Sequence, residues 1–92
     1  RISLYVTQNG KCAISGKPLQ IGDMEVHHKI MKQKGGTDKY QNLIFITKNI
    51  HKLVHITDKN KINEYLQNEN LNEEQMRKLN ELRELVGNCK LV

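Results

Sequence analysis

Hydrophobic and polar residues follow a pattern that divides the chain into short helices and strands separated by turns. Residues 2–8 are predicted to form a helix that ends before Gly10, because glycine readily adopts the left-handed conformation of a helix C-cap. Alternating apolar and polar side chains over residues 24–30 predict a strand, and the apolar run of residues 43–46 predicts a second, buried strand. The glycine-containing residues 34–38 between them are predicted to form a loop.

Three further helices are indicated by their capping residues. Thr47 is a suitable N-cap for a helix that runs through residue 55, and either Thr57 or Asp58 can cap the next helix, to about residue 66. Asn72, followed by Gln75 three positions later, resembles a capping box that opens a final helix to residue 86. The central order of the chain is therefore strand, loop, strand, helix.

All four histidines of the chain lie in this central segment. His51 and His55 are four residues apart, so both rings project from one face of the predicted helix; this spacing suits a metal site and also an ordinary helix surface. His27 and His28 are adjacent in the predicted strand, so their side chains point to opposite faces. One is expected to turn toward the helix as a third metal ligand, and the other toward a substrate. Three histidine ligands with an open position are typical of a catalytic metal site.

Two common histidine motifs are excluded by the neighbouring residues. A metalloprotease helix requires Glu directly after its first histidine, where this chain has Lys52. A zinc finger with two cysteines and two histidines requires a cysteine pair about 12 residues upstream, and the sequence has none there. Three imidazole ligands favour Zn²⁺, Ni²⁺ or Mn²⁺ over the oxygen-seeking Mg²⁺.

The length of 92 residues predicts one small domain, for which a bound metal is a common additional source of stability. Two cysteines, Cys12 and Cys89, are too few for a disulfide framework, which indicates a reducing, intracellular compartment. No apolar run approaches the roughly 20 residues that span a bilayer, so no membrane association is expected. The start at Arg1 without a methionine or a signal peptide predicts a domain of a longer protein.

The net charge of +5 is unevenly distributed. Residues 1–61 carry eleven basic and four acidic side chains, whereas residues 62–92 carry four and six. Lysines accompany the histidines throughout the basic part: Lys29, Lys32, Lys34, Lys39, Lys48 and Lys52. A basic field around a metal site attracts a polyanion such as DNA. An ordinary solvated, lysine-rich surface is an equal alternative on charge alone.

Three segments together carry a resemblance to a known family. The first is Glu25-Val-His27-His28-Lys-Ile. The second is Gly-Gly-Thr-Asp-Lys-Tyr-Gln-Asn-Leu of residues 35–43, and the third is His-Lys-Leu-Val-His of residues 51–55. Together these segments resemble the HNH endonuclease motif. This motif occurs in intron-encoded nucleases and nuclease colicins. The resemblance covers roughly residues 10–56.

The resemblance implies a fold and a division of the chain. The implied fold class is α+β, with a ββα-metal (HNH, His-Me finger) core in residues 10–56. Residues 1–9 would form an N-terminal helix and residues 57–92 supporting C-terminal helices, all within one domain.

The flanking residues are similar to one branch of this family, the endonuclease domain at the C-terminus of group II intron-encoded reverse transcriptase/maturase proteins. The similar segments are residues 10–19, 40–47 and 78–87. The implied function is metal-dependent hydrolysis of DNA phosphodiesters, with nicking of the second (bottom) strand during intron retrohoming. The implied partners are DNA and, through the full-length protein, the intron RNA, in a bacterial cytoplasm or an organelle.

The resemblance also implies roles for single residues. His28 matches the general base that takes a proton from water, while His27, His51 and His55 match the ligands of one divalent metal ion. Mg²⁺ or Mn²⁺ is expected to support cleavage, and Zn²⁺ or Ni²⁺ is a plausible bound ion.

Two further residues have implied positions around this centre. Asn42 matches the asparagine of the family name, which bridges the loop backbone and holds the base in place. Glu25 matches a carboxylate that orients a ligand histidine. Contacts to DNA phosphates are expected from four lysines: Lys29, Lys32, Lys34 and Lys39.

The chain departs from many intron-encoded relatives in its cysteines. Those relatives carry two Cys-x-x-Cys pairs that bind a structural zinc, whereas this chain has Cys12-Ala-Ile-Ser15 and no second pair. Cys12 is therefore expected to be a small buried hydrophobic residue, and the helices of residues 59–86 to provide support instead. Their apolar stripe is predicted to pack in the core of a monomer rather than in a dimer interface: Ile62, Tyr65, Leu66, Met76, Leu79, Leu82 and Val86.

Two rival interpretations remain at this point. The same fold could hold DNA without cutting it, although a pure binding module has no need of a base at His28. Alternatively, the nuclease could belong to a restriction or toxin system. The sequence leaves open the target site, the cleaved strand, the physiological metal and the oligomeric state.

Overall fold

The computed structural model describes residues 2–91, and over that range the chain has an α+β fold. A two-stranded antiparallel sheet is accompanied by four α-helices among these residues. The elements in chain order are α1 (Ile2–Thr7), β1 (Met24–His28), β2 (Leu43–Thr47), α2 (Lys48–His55), α3 (Lys59–Gln67) and α4 (Glu73–Leu85). Short 3₁₀ turns occupy Lys32–Lys34 and Tyr40–Asn42 within the β1–β2 connection. The predicted α+β class and the order strand, loop, strand, helix are confirmed.

The capping residues determine where the helices begin, as the sequence predicts. The Thr47 side chain accepts a hydrogen bond from the backbone N–H of Ile50, at the start of α2. Asp58, rather than Thr57, caps α3. Asn72 and Gln75 form both bonds of a capping box at the start of α4. Each cap satisfies backbone N–H groups that have no partner within the helix.

The predicted strand of residues 24–30 is too long by two residues. Strand β1 ends at His28, and the backbone N–H of Ile30 donates to the Asn42 side chain instead of to a neighbouring strand. The alternation of apolar residues gave no sign that the strand ends at His28, because it counts Ile30 as an apolar strand position. In the structure the Ile30 side chain lies outside the core and is 44% exposed. A side chain that binds the backbone competes directly with a strand ladder.

The hydrophobic core lies between the sheet, α2 and α4, with α3 packed against α2. Its most completely buried members are Leu43, Ile46, Ile50, Leu53, Val54 and Leu79. Cys12 is buried in the same cluster, as expected. The apolar stripe of the last two helices also faces this core, with Ile62, Leu79 and Leu82 buried and its other members partly buried against it. The stripe therefore stabilises α2, which carries two of the histidines.

A buried arginine fixes the C-terminal end of α2. Arg83 of α4 is only 3% exposed, and its Nη1 donates to the carbonyl oxygens of Leu53 and Ile56 at 2.6 and 2.8 Å. Asn88 donates to the carbonyl oxygen of Val54 at 2.8 Å. The last carbonyls of a helix lack partners within the helix, so these bonds satisfy them and hold α2 against α4.

None of the helices within residues 2–91 combines the length and the apolar character required to cross a membrane.

Candidate metal centre

Three histidines from two elements meet above the sheet. Glu25 and His27 are two residues apart in β1, so their side chains lie on the same face, and α2 packs across the sheet. His51 and His55 lie one turn apart on α2. One potential ligand atom from each of His27, His51 and His55 lies within 4.8 Å of the other two. The trio that the sequence proposed as metal ligands is therefore assembled by β1 and α2.

The three rings pack edge to face around a common centre. Their centroids are 5.2 Å apart for His27 and His51, 5.5 Å for His27 and His55, and 4.9 Å for His51 and His55. The three histidines differ in burial: His27 is only 3% exposed, whereas His55 lies at the solvent-exposed surface. One side of the cluster is thus closed by protein and the other is open.

The surroundings of His27 and His55 favour neutral rings. Burial is the main cause that lowers the pKa of His27 to about 4, and the neighbouring His51, His55 and His28 lower it further. Burial, followed by the proximity of His51, also lowers the pKa of His55. Neutral imidazole is the form that binds a metal ion.

An unpartnered nitrogen shows that the residues fit a metal ion. The buried Nε2 of His27 has no hydrogen-bond partner among the described residues. Leaving a buried polar atom unpaired costs about 1–3 kcal/mol, so such atoms are usually satisfied by a protein group, a water molecule or a bound ion. A divalent cation of the kind that accepts imidazole nitrogen would satisfy this atom.

Glu25 contacts His51, one histidine of the trio. Its Oε1 lies 2.6 Å from Nδ1 of His51. A carboxylate accepts the Nδ1 proton, which leaves Nε2 of His51 with its lone pair for a metal ion. The structure therefore places the Glu25 carboxylate in contact with one histidine of the trio.

His28 lies outside the trio but opens to the same cleft. The cleft has a volume of about 280 Å³ and is lined by all four histidines together with Met31 and Lys32, among others. The His28 side chain is 28% exposed, and its Nε2 lies 2.7 Å from Oδ1 of Asp38. The structure thus separates one histidine from the three that can share an ion.

Asn42 ties together the loop that connects β1 to β2. Its Oδ1 accepts from the N–H of Ile30 at 2.8 Å, and its Nδ2 donates to the carbonyl oxygens of Ile30 and Thr37 at 3.0 and 2.8 Å. The loop passes so close to itself that a Cβ on Gly36 would lie 1.8 Å from the Ile30 carbonyl oxygen. Glycine is therefore required at position 36 for this closure.

The four lysines proposed as DNA contacts do not all line the histidine cleft. Lys32 lines the histidine cleft, and its Nζ lies 2.9 Å from Oδ2 of Asp38. Lys29 lines a different groove, next to α4. Lys34 and Lys39 are exposed and are not among the residues that line the cleft. Lys32 is thus the lysine of this group that the fold brings to the histidines.

Sequence reasoning did not single out two residues that matter for the site. Asp38 belongs to the segment Gly35-Gly36-Thr37-Asp38, but nothing in its spacing from His28 predicts that the two side chains meet. Arg83 reads in sequence as one more charged position on an amphipathic helix. Its position among the apolar residues of the α4 stripe was the feature of the sequence that could have predicted a contact between α4 and polar groups of another element.

The metal-free protein is expected to lose stability as the pH falls from about 6.5 toward 4. The pKa of His27 is about 4 in the folded state against 6.5 in the unfolded chain, so the unfolded chain binds more protons in this interval. The stabilisation is complete above pH 6.5 and is lost as the pH approaches 4, by at most roughly 3 kcal/mol. The pKa of Asp38 is lowered to about 2, so Asp38 affects the pH dependence of stability only at lower pH.

Urea denaturation in EDTA at a series of pH values measures this effect. His27→Gln removes the group whose pKa is lowered to about 4 and should weaken the dependence between pH 6.5 and 4, leaving the part that His55 contributes. His28→Gln, which changes a histidine outside the trio, serves as the matched control and should retain the pH dependence. An equal slope in the His27 variant would contradict the assignment.

Comparison with models of known protein families gives no match to this chain, and comparison with curated proteins gives none either. The resemblance to HNH endonucleases therefore depends on the motif residues of the chain itself.

Proposed function

We propose that this chain is a metal-dependent endonuclease domain with a ββα-metal core, which hydrolyses phosphodiester bonds in DNA. The observation that carries the proposal is the cleft in which three histidines can share one ion while His28 remains outside that group. A site built only to hold a structural metal has no use for a separate, partly exposed imidazole beside an open position.

The residues of the cleft divide the reaction between them. His28 acts as the general base and takes a proton from the attacking water. Lys32 lies at the cleft and offers a cation to a phosphate oxygen. Asn42 holds the loop between the strands, and Glu25 orients His51. A divalent ion held by His27, His51 and His55 would supply Lewis-acid stabilisation of the negative charge that develops on the phosphate and on the leaving 3′ oxygen.

The proposal extends to the ion and to the biological context. Imidazole donors favour Zn²⁺, Ni²⁺ or Mn²⁺ as the bound ion, and Mg²⁺ or Mn²⁺ is proposed as the working ion. The flanking segments support a place in a group II intron-encoded protein, where the domain nicks the second strand of the target. DNA is then the substrate, and the intron RNA is a partner of the full-length protein.

A plasmid-nicking assay tests the proposed function. Supercoiled DNA is incubated with the protein in EDTA, and then with Mg²⁺, Mn²⁺, Zn²⁺ or Ni²⁺ added in excess. We expect conversion to the nicked form only when a divalent ion is present, and none with His55→Ala. A protein that binds the plasmid without nicking it under any of these ions would instead be a DNA-binding module.

DNA binding by the domain is expected to be weak, salt-sensitive and nearly independent of sequence. Lysine contacts to phosphates position a duplex without reading its bases, and each neutralised phosphate steepens the dependence of log K on log salt by about 0.9. Lys32→Ala should therefore flatten this slope by about 0.9, and the Lys32/Lys34 double substitution by up to about 1.8. Lys61→Ala, on the exposed part of α3, is the matched control.

The slope is measured by titration of labelled duplexes of unrelated sequence at several salt concentrations, in a His28→Ala background that does not cut. Strong preference for one duplex would reveal a base-reading surface and contradict this prediction. A slope that is indifferent to Lys32 would remove that lysine from the interface.

A further inference from the structure

The loop between β1 and β2 brings a carboxylate to His28. Asp38 Oδ1 lies 2.7 Å from His28 Nε2, while Oδ2 of the same carboxylate lies 2.9 Å from Lys32 Nζ. The hydrogen bond from His28 is the main cause that lowers the pKa of Asp38 to about 2, with a further contribution from Lys32. Asp38 is therefore ionised at neutral pH and can only accept hydrogen bonds.

This contact determines which nitrogen of His28 can act as a base. Since Asp38 only accepts, the proton of a neutral His28 ring must lie on Nε2, the nitrogen that faces the carboxylate. The lone pair then lies on Nδ1. When Nδ1 takes a proton from water, the ring becomes a cation, and the adjacent carboxylate stabilises it. A buried Asp performs the same two tasks for the histidine of a serine protease.

The loop holds Asp38 in this place through its neighbours. Asn42 binds the Thr37 carbonyl oxygen directly before Asp38, and the Ile30 backbone two residues after His28. One side chain thus fixes both the segment that carries the histidine and the segment that carries the carboxylate. The close approach of Gly36 to the Ile30 carbonyl oxygen leaves no room for a side chain at position 36 in this closed loop.

We propose that Asp38 is a positioning residue for the nuclease reaction: it holds the proton of His28 on Nε2 and thereby makes Nδ1 the atom that accepts the proton of the attacking water. This role rests on the proposed function. Lys32 forms an ion pair with the same carboxylate. If Lys32 binds a phosphate instead, His28 becomes the remaining partner of Asp38 among these two.

The first test reads the tautomer of His28 without reference to activity. Long-range ¹⁵N–¹H correlation spectra of the protein with one equivalent of Zn²⁺, a diamagnetic ion, distinguish a proton on Nε2 from one on Nδ1. The measurement is made at about pH 8.5, above the usual histidine pKa of about 6.5. We expect the Nε2–H form in the unmodified protein and a mixture in Asp38→Ala. A proton on Nδ1 of His28 in the unmodified protein overturns the proposal.

The second test separates positioning from binding. In single-turnover nicking, Asp38→Asn should lower the rate constant for cleavage by about tenfold to a hundredfold, a part of the 10²–10⁴ that a general base contributes. The Kd for DNA should stay the same or tighten slightly, because a negative charge is lost. Asp38→Glu should restore part of the cleavage rate, and Glu64→Gln, an exposed carboxylate on α3, should leave rate and affinity unchanged.

The outcomes distinguish this role from the proposed function. A cleavage rate that is unchanged or raised in Asp38→Asn would show that the carboxylate merely competes with the phosphate for His28 and Lys32, and would overturn the positioning role. Absence of nicking by the unmodified protein under every ion would overturn the nuclease function, and the positioning role with it. Nicking together with the wrong tautomer would overturn the positioning role alone.

Discussion

Replacement of His28 by alanine is expected to lower the rate of plasmid nicking by about 10²- to 10⁴-fold, the usual contribution of a general base. The metal content should stay the same, because the potential ligand atoms that converge belong to His27, His51 and His55 and not to His28. His28 is not a member of the hydrophobic core and its side chain is 28% exposed, so its removal should leave the core intact. The fold should therefore survive, and the loss should be chemical.

Two measurements on the same samples check this expectation: nicking, and elemental analysis of the bound metal. His55→Ala is the matched comparison, since it removes a more exposed imidazole that belongs to the trio. That variant should lose both nicking and metal. A His28→Ala protein that loses its metal would show that the roles of His27 and His28 have been exchanged.

Removal of the metal by EDTA is expected to lower the melting temperature substantially. An ion that binds only the folded state stabilises it by about 2.7 kcal/mol when its free concentration is 100 times Kd. In a domain of this size each kcal/mol corresponds to roughly 4–8 °C, so the expected decrease is on the order of 10–20 °C. The physical source is the satisfaction of the His27 nitrogen, which has no hydrogen-bond partner among the described residues, and the link that the ion would make between β1 and α2.

Melting followed by circular dichroism, with and without EDTA, measures this effect. His55→Ala should melt at the same temperature under both conditions, whereas His28→Ala should retain the full difference. The helical signal should persist in EDTA at low temperature, because α2 is also held by the core and by Arg83 of α4. An unchanged melting curve would argue against a bound metal, and complete loss of helix would show that the packing of α4 is insufficient on its own.

Much of the fold was predictable because its signals are local. Thr47, Asp58 and Asn72 begin their helices through bonds to backbone groups only two or three residues away, and that spacing can be read along the chain. The same holds for the i,i+4 spacing of His51 and His55, which determines that they share a helix face. The α+β class and the convergence of histidines from a strand and a helix follow from such patterns.

Other features required the tertiary structure because they join residues far apart in sequence. The length of β1 depends on a bond between Ile30 and Asn42, and the support of α2 depends on Arg83, thirty residues from Leu53. The contact of Asp38 with His28 depends on the path of a loop closed around Gly36. No periodicity along the chain encodes such a path.

The sequence by itself determined the chemical nature of the candidate site: which side chains can bind an ion, and that one imidazole is left over. Strand alternation and helix periodicity specify which side chains share a face, and this is local information. Strand alternation left open which of His27 and His28 joins the pair on α2; the family resemblance named His27, and the tertiary structure places His27 there. The tertiary structure alone decided that Lys32 lies at the cleft while Lys29 does not, and that a carboxylate binds the remaining histidine. These outcomes depend on how the strand end, the loop and α2 pack against one another, and packing is a property of distances in space rather than of spacing along the chain.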